Sequence, residues 1–181
     1  MSLAEDGPRP GDLVVGPWGR ALPPPPLPLL PRPRRHRAGG GEAGEGDGAS
    51  PAGAWRLLWL YWWADRGARP ATPLPAVPLG PQQGWAEDPN DPAYNRPIRH
   101  PHPFPVDRMA RGDRLYDLCA ITDHNVDPVV PGAGSAIFLH LWRRPRAPSA
   151  GCIAFRRRGL GWILARWRPA SRLVIRTRGG L

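Results

Sequence analysis

Apolar and polar positions divide this chain into a polar, Pro-broken beginning and a longer part with regular patterning. Ala54 to Trp63 is almost continuously apolar and aromatic, with Trp55, Leu57, Leu58, Trp59, Leu60, Tyr61, Trp62 and Trp63. A short apolar run of this kind predicts a core strand. Arg114 to Thr122 and Ala136 to Leu141 predict two further strands, and Leu173-Val174-Ile175 a closing one. Between Leu160 and Trp167 the period changes. Leu160, Ile163, Leu164 and Trp167 fall at i, i+3, i+4 and i+7, which is one face of a helix, and Pro169 ends it. Asp123-His124-Asn125 and Pro131-Gly132-Ala133-Gly134 have the composition of turns. The prediction is a mainly β domain with one clear helix near its C-terminal end.

The remaining segments read as connections. Arg69 to Pro81 is Pro-rich and predicts a loop. Prolines between Trp85 and Pro105 exclude helix and central strand over much of that stretch, and a long irregular loop in a compact domain is often functional. Within residues 1–41, Pro23 to Pro26 favours polyproline II, Arg32 to Arg37 is a basic patch and Gly39-Gly40-Gly41 is a hinge. Only Asp12-Leu13-Val14-Val15 there resembles a strand. The organisation expected is a disordered or degenerate segment over 1–41, a domain over 42–177 and a tail over 178–181.

The length of 181 residues suits one domain with a tail. The formal charge of +10 invites a nucleic-acid reading. All the basic residues are Arg, spread along the chain rather than gathered in one stripe, and an anionic cell-wall polymer is an equally good electrostatic partner. Nucleic-acid binding is not expected. No stretch approaches the ~20 apolar residues of a membrane span, and Met1 to Asp6 lacks the basic and apolar regions of a secretory signal. Both cysteines, Cys119 and Cys152, are expected as free thiols: Cys119 lies in an apolar strand pattern, where a Cys acts as a small hydrophobe. His100 and His102 have metal-ligand spacing, but no further ligands follow at such spacing, so no metal is expected.

Candidate chemistry lies at His140 and Cys152. An apolar strand delivers the His, a Pro-rich loop follows, and the small-residue turn Ser149-Ala150-Gly151 presents the Cys ahead of the helix. A thiol becomes a nucleophile near neutral pH when a base or a positive field favours its thiolate. Taken singly, His140 reads more readily as a hydrogen-bonded core residue than as a base, and Cys152 as a buried thiol.

The His, the variable loop and the Ser149-Ala150-Gly151-Cys152 turn resemble the YkuD-type L,D-transpeptidase catalytic domain, in its short stand-alone branch. Glu45-Gly46-Asp47-Gly48-Ala49-Ser50-Pro51-Ala52-Gly53 resembles that family's GDG-(T/S)-P-G segment. Gly84 to Pro89 and Asp91 to Pro97 resemble its W-x-D-D-P and YNR stretch, and Leu115 to Leu118 and Asp123 to Asn125 follow in order. The resemblance runs from about Glu42 to about Arg176. Two positions depart from the usual pattern: Ala150 stands where many members have a second His, and Leu141 where many have Gly or Ser.

The resemblance implies a YkuD-like β-sandwich or barrel-like fold. It implies Cys152 as nucleophile and His140 as general base and acid, with Gly151 and Ser149 shaping the oxyanion turn. Ser149 is otherwise a helix cap. Asp88, Tyr94, Asn95, Arg96 and Asn125 are the polar candidates for substrate contact, with His124 weaker. The implied substrate is a peptidoglycan stem peptide, the intermediate a thioester, and no cofactor is required. The implied compartment is the periplasm or cell envelope. Two alternatives share these residues: a carboxypeptidase or endopeptidase using the same thiol, and a non-catalytic cell-wall binding domain.

Overall fold

The computed structural model describes residues 12–15, 48–145, 147 and 149–176. The rest of the expected N-terminal segment and the 178–181 tail lie outside the described residues.

The strands are β1 (Asp12–Val15), β2 (Gly53–Trp55), β3 (Leu57–Trp62), β4 (Ala76–Pro78), β5 (Gln83–Ala86), β6 (Pro97–Arg99), β7 (Val106–Arg108), β8 (Leu118–Thr122), β9 (Phe138–Leu141), β10 (Ile153–Phe155) and β11 (Arg172–Ile175), with one helix, α1 (Arg157–Arg166). They form a five-stranded sheet in the order β10-β9-β8-β3-β4 and two three-stranded sheets, β1-β11-β2 and β6-β5-β7. In the large sheet β9, β8 and β3 are antiparallel neighbours, while β10 runs parallel to β9 and β4 parallel to β3.

Alternation along the strands divides the core between the two faces of the large sheet. Leu118, Ala120, Leu139, Leu141, Ile153 and Phe155 join a cluster with Leu160, Ile163, Leu164 and Trp167. The apolar stripe read from the sequence is therefore the face that α1 buries. Cys119, Ile121 and Phe138 point the other way, into a cluster with Trp85, Met109 and Tyr116, against which Cys152 packs. The small sheet contributes Trp85 to this second cluster and so covers the face that carries the thiol.

Several strands differ from the sequence expectation for local reasons. The aromatic run at 54–63 is two strands in two sheets, broken at Arg56. That residue's N–H and guanidinium bond the two oxygens of Asp123, at 2.7 and 2.8 Å. Only Leu118–Thr122 of the run starting at Arg114 is a strand, because Asp113 and Arg114 accept turn-forming bonds from Leu115 and Asp117. The stretch after Trp85 contains β6, and β5, which ends within it, is the centre of its small sheet. Pro97 is tolerated because β6 is an edge. The Arg69 to Pro81 loop contains β4, an edge strand of the large sheet. Among the described residues no helix is long and apolar enough to cross a membrane.

Candidate active site

His140 sits on β9, and its register partner on β10 is Ala154. Cys152 immediately precedes β10, so it lies beside Phe138, two residues before His140. Residues two apart on a strand share a face, spaced about 7 Å along it. The imidazole and the thiol thus lie on one face of the large sheet, the face covered by the β6-β5-β7 sheet, although a Pro-rich loop separates them in sequence.

The imidazole is 3% exposed. Its Nδ1 lies 2.8 Å from the Leu141 carbonyl. A carbonyl only accepts, so Nδ1 carries the proton and Nε2 presents a lone pair. Burial, with the positive charges of Arg111 and Arg143, lowers the imidazole's pKa, against the opposing effects of the Leu141 bond and the negative Asp107. A neutral imidazole with its tautomer fixed in this way is equipped to take a proton.

Cys152 rests as a thiol. It donates to the Ala136 carbonyl at 2.9 Å and its sulfur accepts the Phe138 N–H at 3.4 Å. Burial pushes its pKa up to about 12; the Phe138 N–H opposes this, and the charges of Asp107 and Glu87 add to it. There is no resting hydrogen bond between thiol and imidazole. Ionisation requires the proton to leave Ala136 for a base, and His140 is the adjacent base on that face.

The turn before Cys152 is fixed from two sides. Gly151 has φ +96°, a conformation that favours glycine. A Cβ there would stand 2.6 Å from the Ala49 carbonyl oxygen. Ser50 donates to the Gly151 carbonyl at 2.7 Å, and Ser149 donates to the Cys152 carbonyl at 2.5 Å. Ser149 does not cap α1, whose N-cap is Arg156. These bonds fix the peptide planes on both sides of Cys152.

The substrate-contact candidates divide. Asn95 is 2% exposed. Its Oδ1 accepts from Trp85 Nε1 and from the Ala136 N–H, at 2.9 and 3.1 Å, and its Nδ2 donates to the His124 and Asn125 carbonyls, at 3.2 and 2.7 Å. All four hydrogen-bonding positions of the amide are used, which corrects the expectation of a direct substrate contact. Asn125 spends both Nδ2 hydrogens on the Val130 and Gly134 carbonyls, and its Oδ1 accepts the Val130 N–H, so it closes the 125–134 loop. Arg96 bonds the Val126 carbonyl at 2.6 Å. Tyr94 is buried. Asp88 accepts from the backbone and side chain of Asn90 and organises its own turn. Within the 87–96 stretch, only the Glu87 charge acts on Cys152. His102 is held by Asp91 at 2.5 Å.

Sequence reasoning passed over Tyr116, Asp107, Ser50 and Ala136. The Tyr116 ring stands edge-on to His140, with centroids 5.5 Å apart, and its hydroxyl donates to Asp107 at 2.5 Å. Ser50 and Tyr116 lie inside segments that carry the family resemblance. Asp107 and Ala136 have no local signal.

Comparison with known proteins gives one result. A family model described as YkuD, L,D-transpeptidase catalytic domain, matches residues 32–175. No curated protein and no solved structure matches the chain significantly.

Proposed function

Because the chain belongs to the YkuD family of L,D-transpeptidase catalytic domains, we propose that it transfers the acyl group of a peptidoglycan stem peptide through a thioester on Cys152. The observation that carries this reading is the shared sheet face of Cys152 and His140, with the Leu141 carbonyl holding His140 in the tautomer of a base.

In the proposed reaction, the proton on Sγ passes to Nε2 of His140 as sulfur attacks the carbonyl carbon of the third stem residue. The backbone N–H groups of Gly151 and Cys152 receive the negative charge on that oxygen. Collapse breaks the C–N bond to the terminal D-alanine. His140 returns its proton to the departing amine, and the thioester remains. An acceptor amine then attacks the thioester. It gives a proton to His140, the sulfur leaves, and the thiol is restored by the same proton. Ser50 and Ser149 keep the turn in place through both halves, and the negative Asp107 offsets the positive charge that His140 carries transiently within each half. The cell envelope, where this polymer is built, is the compartment the reaction requires.

The test is incubation with a carbapenem, an acylating β-lactam, followed by intact mass measurement beside a Cys152→Ala control. An adduct on the parent protein alone supports an activated thiol. A folded parent that gains no mass overturns the reading in favour of a non-catalytic wall-binding domain. Muropeptide products then distinguish transfer from hydrolysis: a cross-link formed with an added amine is expected, and release of D-alanine without acceptor incorporation would make the protein a hydrolase.

A further inference from the structure

Among the described residues, three non-glycine residues have left-handed backbone conformations: Asn95 (φ +55°), Asn125 (φ +49°) and Ala136 (φ +52°). Asn tolerates this region, whereas for Ala it costs about 1–2 kcal/mol. The three form one hydrogen-bonded unit. Asn95 Oδ1 receives the Ala136 N–H, and Asn95 Nδ2 donates to the carbonyls of His124 and Asn125. Asn125 in turn holds Gly134, two residues before Ala136. The other end of the Ala136 residue faces the active site: its carbonyl accepts the Cys152 thiol at 2.9 Å. A buried amide therefore holds the N–H side of the residue whose carbonyl, in the next peptide group, accepts the Cys152 thiol.

We propose that Asn95 is a positioning residue that clamps Ala136 in its left-handed conformation, so that the Ala136 carbonyl holds the Cys152 proton until an acyl donor enters. This rests on Cys152 being the nucleophile. One thiol hydrogen bonds one strong acceptor at a time. While it points at Ala136 it is withheld from His140, and the sulfur is an inert thiol. A donor carbonyl seated against the turn draws the sulfur toward itself, the contact to Ala136 breaks, and the proton passes from Sγ to His140 Nε2. The clamp keeps this partly buried thiol from being spent on oxidants and stray electrophiles.

Other groups set the same thiol's acidity. The Phe138 N–H favours the thiolate, the negative Asp107 and Glu87 disfavour it, and Tyr116 and Cys119 face it from β8 and the turn before it. The Ala136 contact is separable from these because it depends on Asn95.

The experiment uses the full chain carrying Cys119→Ala, so that one thiol remains. The S–H stretching band in the infrared, taken as the difference from the same chain with Cys152→Ala, should lie at the lowered frequency of a hydrogen-bonded thiol. A free-thiol band overturns the proposal without recourse to any Asn95 variant. Asn95→Gly suits the φ of that position and deletes the acceptor for Ala136. It should move the band toward the free thiol and speed iodoacetamide alkylation, at a fixed mildly alkaline pH, by roughly tenfold, equivalent to one unit of thiol acidity. Asn95→Asp keeps the acceptor and should leave alkylation no faster than in the parent. A folded Asn95→Gly protein with an unchanged band, or with unchanged or slower alkylation, overturns the clamp. A merely structural role for Asn95 lowers stability and leaves the band in place. These readouts do not involve a substrate. A bonded thiol in a protein that gains no carbapenem adduct would leave the clamp standing and remove the transpeptidase reading.

Discussion

The Ser50 hydroxyl donates a 2.7 Å hydrogen bond to the Gly151 carbonyl, joining residues 101 positions apart at the turn that presents the thiol. The Ala49 carbonyl closes the same turn from the side on which a Gly151 Cβ would project. Ser50→Ala removes one partly buried bond, which costs about 1 kcal/mol of stability. It also frees the Gly151–Cys152 peptide plane, whose N–H is one of the two proposed to hold the oxyanion. The expected outcome is a roughly tenfold fall in the rate of carbapenem acylation, with only a small fall in thermal midpoint, both read on the same sample. Gly151→Ala combines an unfavourable φ with contact against backbone and should cost about 3 kcal/mol or more, with acylation lost.

Asp107 is the negative group nearest in influence to both members of the pair. It opposes the lowering of the His140 pKa and raises that of Cys152. If His140 acts as a neutral base, the acid limb of the acylation rate follows its protonation in the free enzyme. Burial already places that limb below the ordinary imidazole range. Asp107→Asn removes an upward influence, so the limb should move to lower pH. Tyr116→Phe deletes the hydroxyl that fixes Asp107 and should change the limb while the edge-on ring contact remains. A rate profile of each variant against pH checks both. Asp107→Asn with an unmoved limb would exclude the carboxylate from the chemistry.

The same depressed imidazole pKa affects folding. The unfolded chain binds the His140 proton at a higher pH than the folded chain does. Its contribution to stability is present above the unfolded value and is lost as pH falls through the folded one. Urea midpoints measured downward from neutral pH should fall, and part of the slope should disappear in His140→Gln.

A carboxylate also joins the helix to the sheet. The Asp117 side chain is 1% exposed and receives both Arg66, at 3.0 Å, and Arg157 at the start of α1. Both guanidinium groups are partly exposed and can return to water, so Asp117→Ala should cost about 1–3 kcal/mol rather than the full penalty of a buried unpaired charge. Leu160→Ala, in the fully buried stripe of α1, should cost about 2–5 kcal/mol. Denaturant midpoints measure both. A smaller loss for Leu160→Ala than for Asp117→Ala would show that charge, rather than apolar burial, anchors this helix.

Local pattern accounts for the elements that depend on neighbours in sequence. Leu160, Ile163, Leu164 and Trp167 share a helix face because helix geometry puts them there, and any core would bury that face. The runs in β3, β8 and β9 were readable as strands for the same kind of reason. The ends of the strands were less legible. Arg56 breaks an apolar run because Asp123, far along the chain, binds it, and no property of residues 54 to 63 announces that partner.

The candidate pair His140 and Cys152 was legible through the order of short motifs, since each residue type has a narrow range of chemical uses. The placement of the two side chains was not. The parallel pairing of β9 with β10 decides that the two side chains share a face. Asn95 reads as a polar candidate for substrate contact in a Pro-broken loop, yet in the fold it is a saturated, buried amide. By itself the sequence determined residue chemistry and local periodicity: a thiol, an imidazole, a helix face and a set of apolar strands. Only the tertiary structure decided register, burial and hydrogen-bond partners, because these depend on contacts between segments that local sequence does not connect. Those contacts select Nε2 as the free nitrogen of His140 and the Ala136 carbonyl as the resting partner of the thiol.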